Sequence, residues 1–581
     1  MAQRTVLTLI LLATAVVVAQ AADKPIVSGE AGRKADEYLT RLEKLGFSGG
    51  ALLVRGTDTL LMKSYGEADR EKRLPLATDS VYSLGSITKQ FTAAAILTLE
   101  MQGRLSVNDP VGKYFDGVPA DKTGITLHHL LTHSSGLESD FSPTDYAPVG
   151  REEYVRRALQ SRLLFKPGDG YEYSNAGYSL LAAVVERVSG QTYEDYLTER
   201  VLKPAGMRET GYKRPAWDTA RVAHGFQEGK DWGTILQRIQ PADAPYWALR
   251  GNGGLHTTLG DMLAWHRALS TDAVLSKAAR TKYFTPYVAE GPAGRSFYAY
   301  GWAVSRSLRG TTVVQHNGGN GVYVAEFLRF PDEDAMLFLV STNAGMKATP
   351  VVRSLELLLF GGTVALPPAA VPLPPDLLAS YAGRWGLPRG GTIATSVDGN
   401  ALGVTTDSAE GLAALYPAPR GQADRLAQLS ARTAEFSARA FKGDVSGLLE
   451  AMGGAAAIEN LRQQELDLMA DREQRLGRFV ASSVLGTIPR SGDTVQTVVA
   501  LRFERATVFN VYIWGPRRVL GILAMPQLPA LRFVPTSDRT FVSYSLDPGG
   551  ATLTMVFQTA GADRVMVLPG PAGPVTARLL K

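Results

Sequence analysis

Cysteine is absent from the 581 residues of this chain, and its absence excludes several classes of chemistry. The protein can form no disulfide, no thiolate metal site and no cysteine nucleophile. It also has no N-terminal cysteine that could carry a lipid. If the chain is exported, a bacterial periplasm or exterior fits better than a eukaryotic secretory route, which more often brings disulfides.

Runs of one charge are scarce as well. The formal net charge is +5 and the isoelectric point is near 9.1, yet lysine and arginine are dispersed along the chain. This pattern predicts a mildly basic, solvated surface and no nucleic-acid partner. The apolar fraction of 45% and the charged fraction of 20% are those of a globular protein.

Long apolar stretches are confined to the first residues. Arg4 supplies a positive start, Val6–Val18 an apolar segment and Ala19-Gln20-Ala21 a small-residue cleavage pattern. We predict a signal peptide over residues 1–21, cleaved after Ala21; the alternative is an uncleaved anchor, although the stretch is short for a spanning helix. The expected location is therefore periplasmic or secreted, with no stable membrane span after cleavage.

The remaining chain divides into two regions of different patterning. Residues 22–363 contain a pair of strand-like runs, a series of helical patterns and late strand-like runs, which predicts an α+β layered domain. The proline-rich TVALPPAAVPLPPD predicts a stiff linker over 364–376. Residues 377–581 consist mainly of short β-type runs, which predicts a sandwich or a barrel with a helical insertion around 427–476. The helical patterns of the first region cover Ser86–Gln102, Leu127–Thr132, Arg151–Arg162, Tyr178–Gly190 and Leu259–Leu269.

One lysine stands where a helix disfavours it. In SLGSITKQFTAAAILTLE, Lys89 falls in the first turn, where the helix terminus disfavours a cation by about 0.3–1 kcal/mol. Ser86 lies three residues earlier on the same face, and no other lysine in the chain has a serine at this spacing. A capping serine beside a surface lysine is the ordinary interpretation. The chemical alternative is that a desolvated lysine loses its proton and becomes the base that activates the serine.

Two further motifs favour the chemical interpretation. Tyr173-Ser174-Asn175 is the single Tyr-x-Asn in the chain and lies just before a predicted helix. A tyrosine near a cation can pass a proton between a serine and a leaving group, and an asparagine can donate and accept hydrogen bonds. His316-Asn317-Gly318 follows a strand-like run, and its glycine permits close backbone approach to a substrate.

Taken in order, SLGSITKQFTAAAILTLE, LLTHSSGL, PGDGYEYSNAGYSLL and HNGGNGV resemble the serine β-lactamase and penicillin-binding protein superfamily. The resemblance covers about Gly29–Leu359 and is greatest to the branch of class C β-lactamases, D-amino-acid peptidases and esterases. It implies an antiparallel sheet flanked by helices, an all-helical lobe and a site between them. A lipocalin-like shape for the C-terminal domain is an analogy with related hydrolases.

The resemblance also implies the role of each residue. Ser86 would be the nucleophile of an acyl-enzyme, and Lys89 and Tyr173 would handle the proton. Asn175 would hold Lys89 and the substrate. His316 and Gly318 match the family's third element, and the backbone N–H groups of Ser86 and Gly319 would form the oxyanion hole. Asn343 would line the site as a similar asparagine does in relatives, although a plain strand-end turn explains it equally well.

A departure from the family pattern concerns the substrate. Many relatives carry lysine at the position of His316, where a permanent cation engages a substrate carboxylate. Histidine is mostly neutral at pH 7, so we expect a weaker carboxylate clamp. The predicted function is an exported serine hydrolase acting on a small ester, a D-amino-acid amide or peptide, or a β-lactam, with esterase or peptidase activity favoured. The alternative is a cell-wall-peptide binder or penicillin sensor that does not turn over.

Other candidate sites are weaker. His129 and His133 are spaced four apart, but Leu130 stands where a zinc-protease helix carries glutamate, so we predict no metal and no cofactor. Ser86 lacks the G-x-S-x-G context of an α/β-hydrolase. Trp302 is predicted to belong to the core. The expected partner is a small-molecule or peptide substrate, and the sequence leaves the oligomeric state open.

Overall fold

The structure is a computed structural model of the chain. It divides into two compact units, one up to Val364 and one from Ala365 onward, and each is described by itself. The predicted signal peptide lies outside the described residues. Those residues are 24–140, 144–227, 230–239, 246–343, 345–346, 348–419, 421–453, 458–490, 494–544, 546, 552–561, 563–570 and 573–580.

A nine-stranded antiparallel sheet forms the centre of the first unit. Its interior strands consist largely of β-branched, leucine and phenylalanine residues, and Ala335–Ser341 is buried along its whole length. The early strand Gly49–Arg55 pairs on one side with its hairpin neighbour Asp58–Tyr65 and on the other with Ala335–Ser341, nearly 300 residues later in the chain. From one edge to the other, the strands are Ile26–Val27, Asp58–Tyr65, Gly49–Arg55, Ala335–Ser341, Val324–Phe330, Thr312–Gly319, Ala303–Arg306, Ser296–Tyr298 and Val288–Ala289.

Helices cover the sheet. The amphipathic helices Gly29–Lys44 and Ala348–Leu359 contact each other and the sheet. The other helices form a lobe with a shared apolar core, in which Thr88–Met101 is buried on nearly all sides. The lobe contains Thr88–Met101, Leu127–Leu131, Arg151–Gln160, Asn175–Ser189, Tyr193–Leu197, Ile235–Arg238, Leu259–Ala268 and Lys277–Phe284. The predicted fold class of this region is confirmed.

Short two-stranded pairs bring distant loops of the lobe together. Tyr82–Ser83 pairs with His256–Thr257, and this fixes the segment before Ser86 against the loop that precedes the helix Leu259–Ala268. The remaining pairs are Glu67–Asp69 with Leu74–Pro75 and Gly225–Gln227 with Lys230–Gly233.

The second unit contains a closed eight-stranded antiparallel barrel, so the prediction of a mainly-β domain is confirmed in its barrel form. Pairing of Trp385 with Leu579 closes it, and the indole of Trp385 is fully buried in its core. The barrel begins after the proline-rich segment and the short helix Pro375–Ala379. Its strands are Gly383–Gly386, Thr392–Asp398, Ala401–Thr406, Leu531–Pro535, Thr540–Ser543, Leu553–Ala560, Asp563–Leu568 and Val575–Leu579.

Residues 407–530 are inserted between the third and fourth barrel strands, so the insertion extends beyond the predicted 427–476. It has an apolar core of its own, made by helices and a four-stranded sheet. The helix Ser446–Met452 ends at Gly453, which takes a left-handed conformation. The helices are Ala409–Leu415, Ala423–Ala440, Ser446–Met452 and Ile458–Leu476, and the strands are Phe479–Pro489, Val495–Phe503, Thr507–Trp514 and Val519–Met525.

Throughout the described ranges, every helix is either too short or too polar to cross a bilayer.

Candidate active site

Ser86 lies in a tight 3-10 turn, Gly85–Ile87, that leads directly into the helix Thr88–Met101. The turn needs glycine at position 85, because φ is +50° there and a Cβ would lie 2.5 Å from the backbone nitrogen of Gly319. The backbone of Ser86 therefore packs against the end of the strand Thr312–Gly319, with its side chain half-buried. This arrangement confines the hydroxyl to one small region between the sheet and the lobe.

Lys89 points at that hydroxyl. Its side-chain nitrogen lies 3.1 Å from Ser86 Oγ, donates to Asn175 Oδ1 at 2.7 Å and donates to the carbonyl of Asn252 at 2.8 Å. The residue is 0% exposed. The same nitrogen also lies 4.7 Å from the centre of the Tyr173 ring. The ordinary interpretation, a surface lysine, is therefore excluded by the structure.

Burial lowers the pKa of Lys89 well below its ordinary value, because the charged form is desolvated, while the more distant Asp140 and Asp145 oppose the shift. In its neutral form the amine has two N–H donors and one lone pair. The two donors match the oxygens of Asn175 and Asn252, and the lone pair is then available to the hydroxyl of Ser86. The contacts around Lys89 thus suit a base.

The Tyr-x-Asn motif contributes both of its side chains. The Tyr173 hydroxyl hydrogen-bonds to Ser86, and burial raises the pKa of this phenol above its ordinary value. Tyr173 is therefore a proton donor at neutral pH, and Lys89 is the stronger candidate for the base. Asn175, which begins the helix Asn175–Ser189, accepts from Lys89 and donates from Nδ2 to Asp140 at 3.0 Å.

The strand Thr312–Gly319 closes the site from the sheet side. A Cβ on Gly318 would lie 2.0 Å from the carbonyl oxygen of Leu84 and 3.0 Å from the backbone nitrogen of Ser86. The strand and the nucleophile turn can approach this closely only because residue 318 is glycine. The backbones of Gly318 and Gly319 therefore lie directly beside that of Ser86, where two N–H donors can face one substrate oxygen.

His316 is buried on the same strand and is held by two contacts. Its Nδ1 lies 2.6 Å from the carbonyl of Asn317, and its Nε2 lies 2.9 Å from the hydroxyl of Tyr298. Burial, with a smaller contribution from Lys89, lowers its pKa to about 3. The imidazole is therefore neutral at pH 7, as the sequence led us to expect, and supplies no permanent cation.

Several residues of the site have no sequence signature. Asn252 contributes a backbone carbonyl, and its side chain is bound to Ser179 and Ala248. His133, considered from sequence only as a metal ligand or a turn residue, packs 4.3 Å from the Tyr173 ring. It accepts from the backbone N–H of Ser174 and so positions the Tyr-x-Asn loop.

The structure places Asn343 and Trp302 outside this hydrogen-bonded group. Asn343 accepts from the N–H of Gly345 and donates to the carbonyl of Gly46, so its amide is engaged in and beside the strand-end turn. That geometry favours the turn interpretation over the predicted substrate contact. Trp302 is fully buried in the core.

His129 and His133, the pair considered from the sequence as metal ligands, make other contacts in the structure. His129 instead caps its own short helix, accepting from Thr126. Asp69, His224 and Asp231 are the described group whose ligand atoms cluster within 4.8 Å. Asp69 already bonds to Lys72 at 2.8 Å, and His224 to Asp231 at 2.8 Å.

Comparison with known proteins agrees with this geometry. The Beta-lactamase family model matches residues 35–359, more than half of the chain, so the chain belongs to the β-lactamase family. It is accordingly a serine hydrolase or acyltransferase of the β-lactamase and penicillin-binding protein superfamily, and the resemblance seen in the motifs is confirmed.

Individual relatives are distant. Penicillin-binding protein 4* of Bacillus subtilis is 29% identical over 342 residues, which cover 56% of this chain and 75% of that protein. Protein flp of Staphylococcus aureus is 34% identical over 183 residues, covering 30% and 37% respectively. The octameric penicillin-binding protein homologue from Pyrococcus abyssi has a TM-score of 0.51 at 19% identity, covers 94% of this chain and 99% of that one, and shows the fold alone.

Proposed function

We propose that the protein is an exported serine hydrolase that forms an acyl-enzyme on Ser86. Its substrates are small esters and D-amino-acid amides or peptides in preference to β-lactams. The observation that carries the proposal is the environment of Lys89, a buried amine 3.1 Å from the hydroxyl of Ser86 and bonded to two neutral oxygens. Such an amine can accept the proton that makes serine nucleophilic.

The proposed reaction has two halves. Ser86 Oγ bonds to the substrate carbonyl carbon as its proton passes to Lys89, and the N–H groups of Ser86 and Gly319 receive the developing oxyanion. The leaving group then departs with a proton from Tyr173, which recovers one from Lys89. In the second half, water attacks the ester of Ser86 and the same groups return the proton to Oγ. Each proton therefore ends on the leaving group or on the enzyme.

The neutral state of His316 supports the choice of substrate. A substrate carboxylate next to the strand would meet a neutral imidazole whose Nε2 is bonded to Tyr298. Asp140 and Asp145 are also close enough to act on Lys89. This surrounding favours a neutral substrate, or one with an amino group, over the carboxylate of a β-lactam.

The second candidate function is a binder or sensor of cell-wall peptides that acylates once without turnover. It is favoured by the name of the relative from Bacillus subtilis, a penicillin-binding protein. The motifs that carry acylation do not by themselves establish deacylation, and both functions need Ser86.

Intact-mass analysis of the full chain tests the proposal. The protein is mixed with p-nitrophenyl esters, D-alanyl peptides and nitrocefin, and compared with Ser86→Ala. The matched control is Ser161→Ala, at a serine that follows the helix Arg151–Gln160 and bonds to the carbonyl of Ala158. We expect an adduct on the wild type and the control that clears as product forms, and none on Ser86→Ala. A permanent adduct would support the sensor, and activity retained by Ser86→Ala would refute both functions.

A further inference from the structure

The first unit contains a large open cavity with no residue of the Ser86 site in its lining. Its volume is about 1100 Å³, slightly above the range of about 300–1,000 Å³ for sites that bind small organic ligands. One wall is the helix Lys277–Phe284, and the floor is the sheet. None of the reactions proposed above uses this cavity.

Strand register explains why the floor is apolar. Phe297 pairs with Val304, and Val304 pairs with Val314, so the three side chains form one row on one face of the sheet. Phe284 faces them from the helix wall, and Leu269 adds to the apolar lining. The row continues to the next strand, where Val314 pairs with Arg329.

The charge of the cavity has one sign. Five of its lining residues are cationic and none is acidic: Lys277, Arg280, Arg295, Arg306 and Arg329. Arg280 is paired with the exposed Asp272 at 2.6 Å. Arg306 bonds to the carbonyl of Gly310 at 3.2 Å. Hydrogen bonds from Thr312 lower the pKa of the neighbouring Asp332 carboxyl, and Arg306 adds a smaller effect in the same direction. The cavity therefore has an excess of positive charge above an apolar floor.

Arg329 is the unusual member of this set. It is 7% exposed, and its guanidinium donates to two neutral acceptors, His266 Nδ1 at 3.2 Å and Ser270 Oγ at 3.0 Å. Burial lowers its pKa to about 10, which still leaves it charged at pH 7. In the described part of the chain, no carboxylate is paired with it within 4 Å; the charges that act on it from farther away are Asp334, which favours its charged form, and Arg280, which opposes it. A buried charge of this kind is costly unless an anion accompanies it.

We propose that this cavity is a second ligand site, which binds an anionic amphiphile with a single acyl chain. The carboxylate or phosphate head lies at the cations around Arg329, and the chain lies along the row Phe297, Val304 and Val314. Arginine suits such a head because its planar donors match both carboxylate and phosphate. A neutral or cationic amphiphile lacks the partner for these charges.

The site shares a strand with the active site. Val314, His316 and Gly318 alternate along Thr312–Gly319 and therefore lie on one face of the sheet. The cavity floor and the backbone beside Ser86 are separated by about 13 Å of one strand. A ligand in the cavity thus contacts the element that completes the active site.

Titration calorimetry with the full chain tests the site. The probe is dodecanoate below its micelle concentration, with dodecyl phosphate as the second anion and dodecyl maltoside and dodecyltrimethylammonium as neutral and cationic controls. The variant Lys277→Gln/Arg306→Gln removes two exposed lining cations, and Arg33→Gln/Lys44→Gln removes the same charge from another helix. Neither pair belongs to the Ser86 site.

We expect both anions to bind the wild type and the charge-matched control. The affinity for the two anions should fall by about tenfold or more in the Lys277→Gln/Arg306→Gln variant. The neutral and cationic amphiphiles should bind the wild type no more tightly than the anions bind this variant. No binding of either anion, or equal binding by the two double variants, would overturn the site. A change on the cavity floor at a half-buried position, Val304→Glu, gives an independent check: it should also weaken binding of both anions while the melting temperature stays unchanged.

Vesicles distinguish the two sources of such a head group. Co-sedimentation with phosphatidylcholine vesicles that contain the single-chain anion lysophosphatidylglycerol, lost in the Lys277→Gln/Arg306→Gln variant and accompanied by dodecanoate binding, would identify a membrane lipid as the source. Dodecanoate binding without co-sedimentation would identify a free fatty acid or alkyl phosphate. Co-sedimentation without any binding of the monomeric anions would overturn the cavity site in favour of a surface interaction.

Discussion

Lys89 and Arg329 are both buried cations, and neither forms an ion pair within the described residues. Lys89 faces a hydroxyl and two amide oxygens, whereas Arg329 faces an imidazole and a hydroxyl at the floor of an open cavity. Burial disfavours the charged form of both side chains, but the outcomes are opposite, because lysine can give up its proton and arginine keeps it. Burial therefore prepares one position for proton transfer and the other for holding an anion.

Lys89→Arg should have the largest effect, since it keeps the charge and removes the base. We expect kcat/KM for a p-nitrophenyl ester to fall by about 10²–10⁴-fold, the usual contribution of a general base. Lys63→Arg, at a half-buried lysine that bonds to Asp36, should stay close to wild type. Retention of more than a tenth of the activity by Lys89→Arg would end the case for the amine as base.

The pH profile examines the same position without mutation. Only neutral Lys89 can accept the proton, so kcat/KM should rise with pH through the Lys89 pKa and then level off. Because burial places that pKa well below 10.5, the plateau should be reached well below pH 10.5. A rate that still climbs steeply at pH 10 would mean that the amine stays charged in the free enzyme.

Gly318→Ala should be next in size. The added Cβ would lie 2.0 Å from the carbonyl oxygen of Leu84, so the strand must move away from Ser86. We expect kcat to fall by about 10²-fold, as when an oxyanion donor is lost. Gly112→Ala is the control, because a Cβ added there would meet no atom within 4 Å and the residue lies outside the Ser86 site. Melting curves of both variants separate misplacement of the strand from unfolding.

His316→Lys should change specificity more than rate. A cation at this strand position would offer a substrate carboxylate a charge-assisted bond that the neutral imidazole does not provide. The ratio of kcat/KM for nitrocefin to that for a neutral ester should therefore increase by about tenfold. A ratio that stays constant while both activities persist would show that the strand position does not select the substrate.

Arg329→Lys should have the smallest effect on turnover. The substitution replaces the guanidinium at the cavity with a smaller cation and leaves the contacts of the Ser86 site unchanged. The kcat/KM for the ester should therefore change by less than about threefold. The free energy of unfolding should fall by about 1–3 kcal/mol, because one donor contact to His266 or Ser270 is lost in a buried place. Loss of ester activity without loss of stability would contradict this expectation and would show that the cavity around Arg329 is coupled to the Ser86 site.

The sequence could predict the parts of the active site that depend on side chains with rare spacing. Ser86, Lys89, Tyr173 and His316 belong to motifs that occur once. The carbonyl of Asn252 could not be predicted, because every residue has a carbonyl and only the fold decides which one meets Lys89. For Asn343 the sequence left a substrate contact and a strand-end turn both open, because the residue type suits either; in the structure its amide is engaged in the turn.

The cavity and the barrel depend on long-range pairing, which local patterns do not encode. Arg329 lies in an ordinary strand, VAEFLRF, and its significance arises from contacts with His266 and Ser270, about sixty positions earlier. The sequence left sandwich and barrel both open, because closure rests on the contact of Trp385 with Leu579, almost two hundred residues apart. Short strands with turn residues are common to both architectures.

The inserted segment 407–530 has a consequence for how the second unit assembles. Strands Ala401–Thr406 and Leu531–Pro535 are neighbours, so a disordered insert would impose a loop-closure entropy that increases with its length. An insert that has already collapsed around its own core removes most of that penalty. We therefore expect the insertion to fold before the barrel. In a pulse-labelling experiment, the amides of Val495–Phe503 in the insertion should gain protection from exchange earlier than those of Leu553–Ala560 in the barrel.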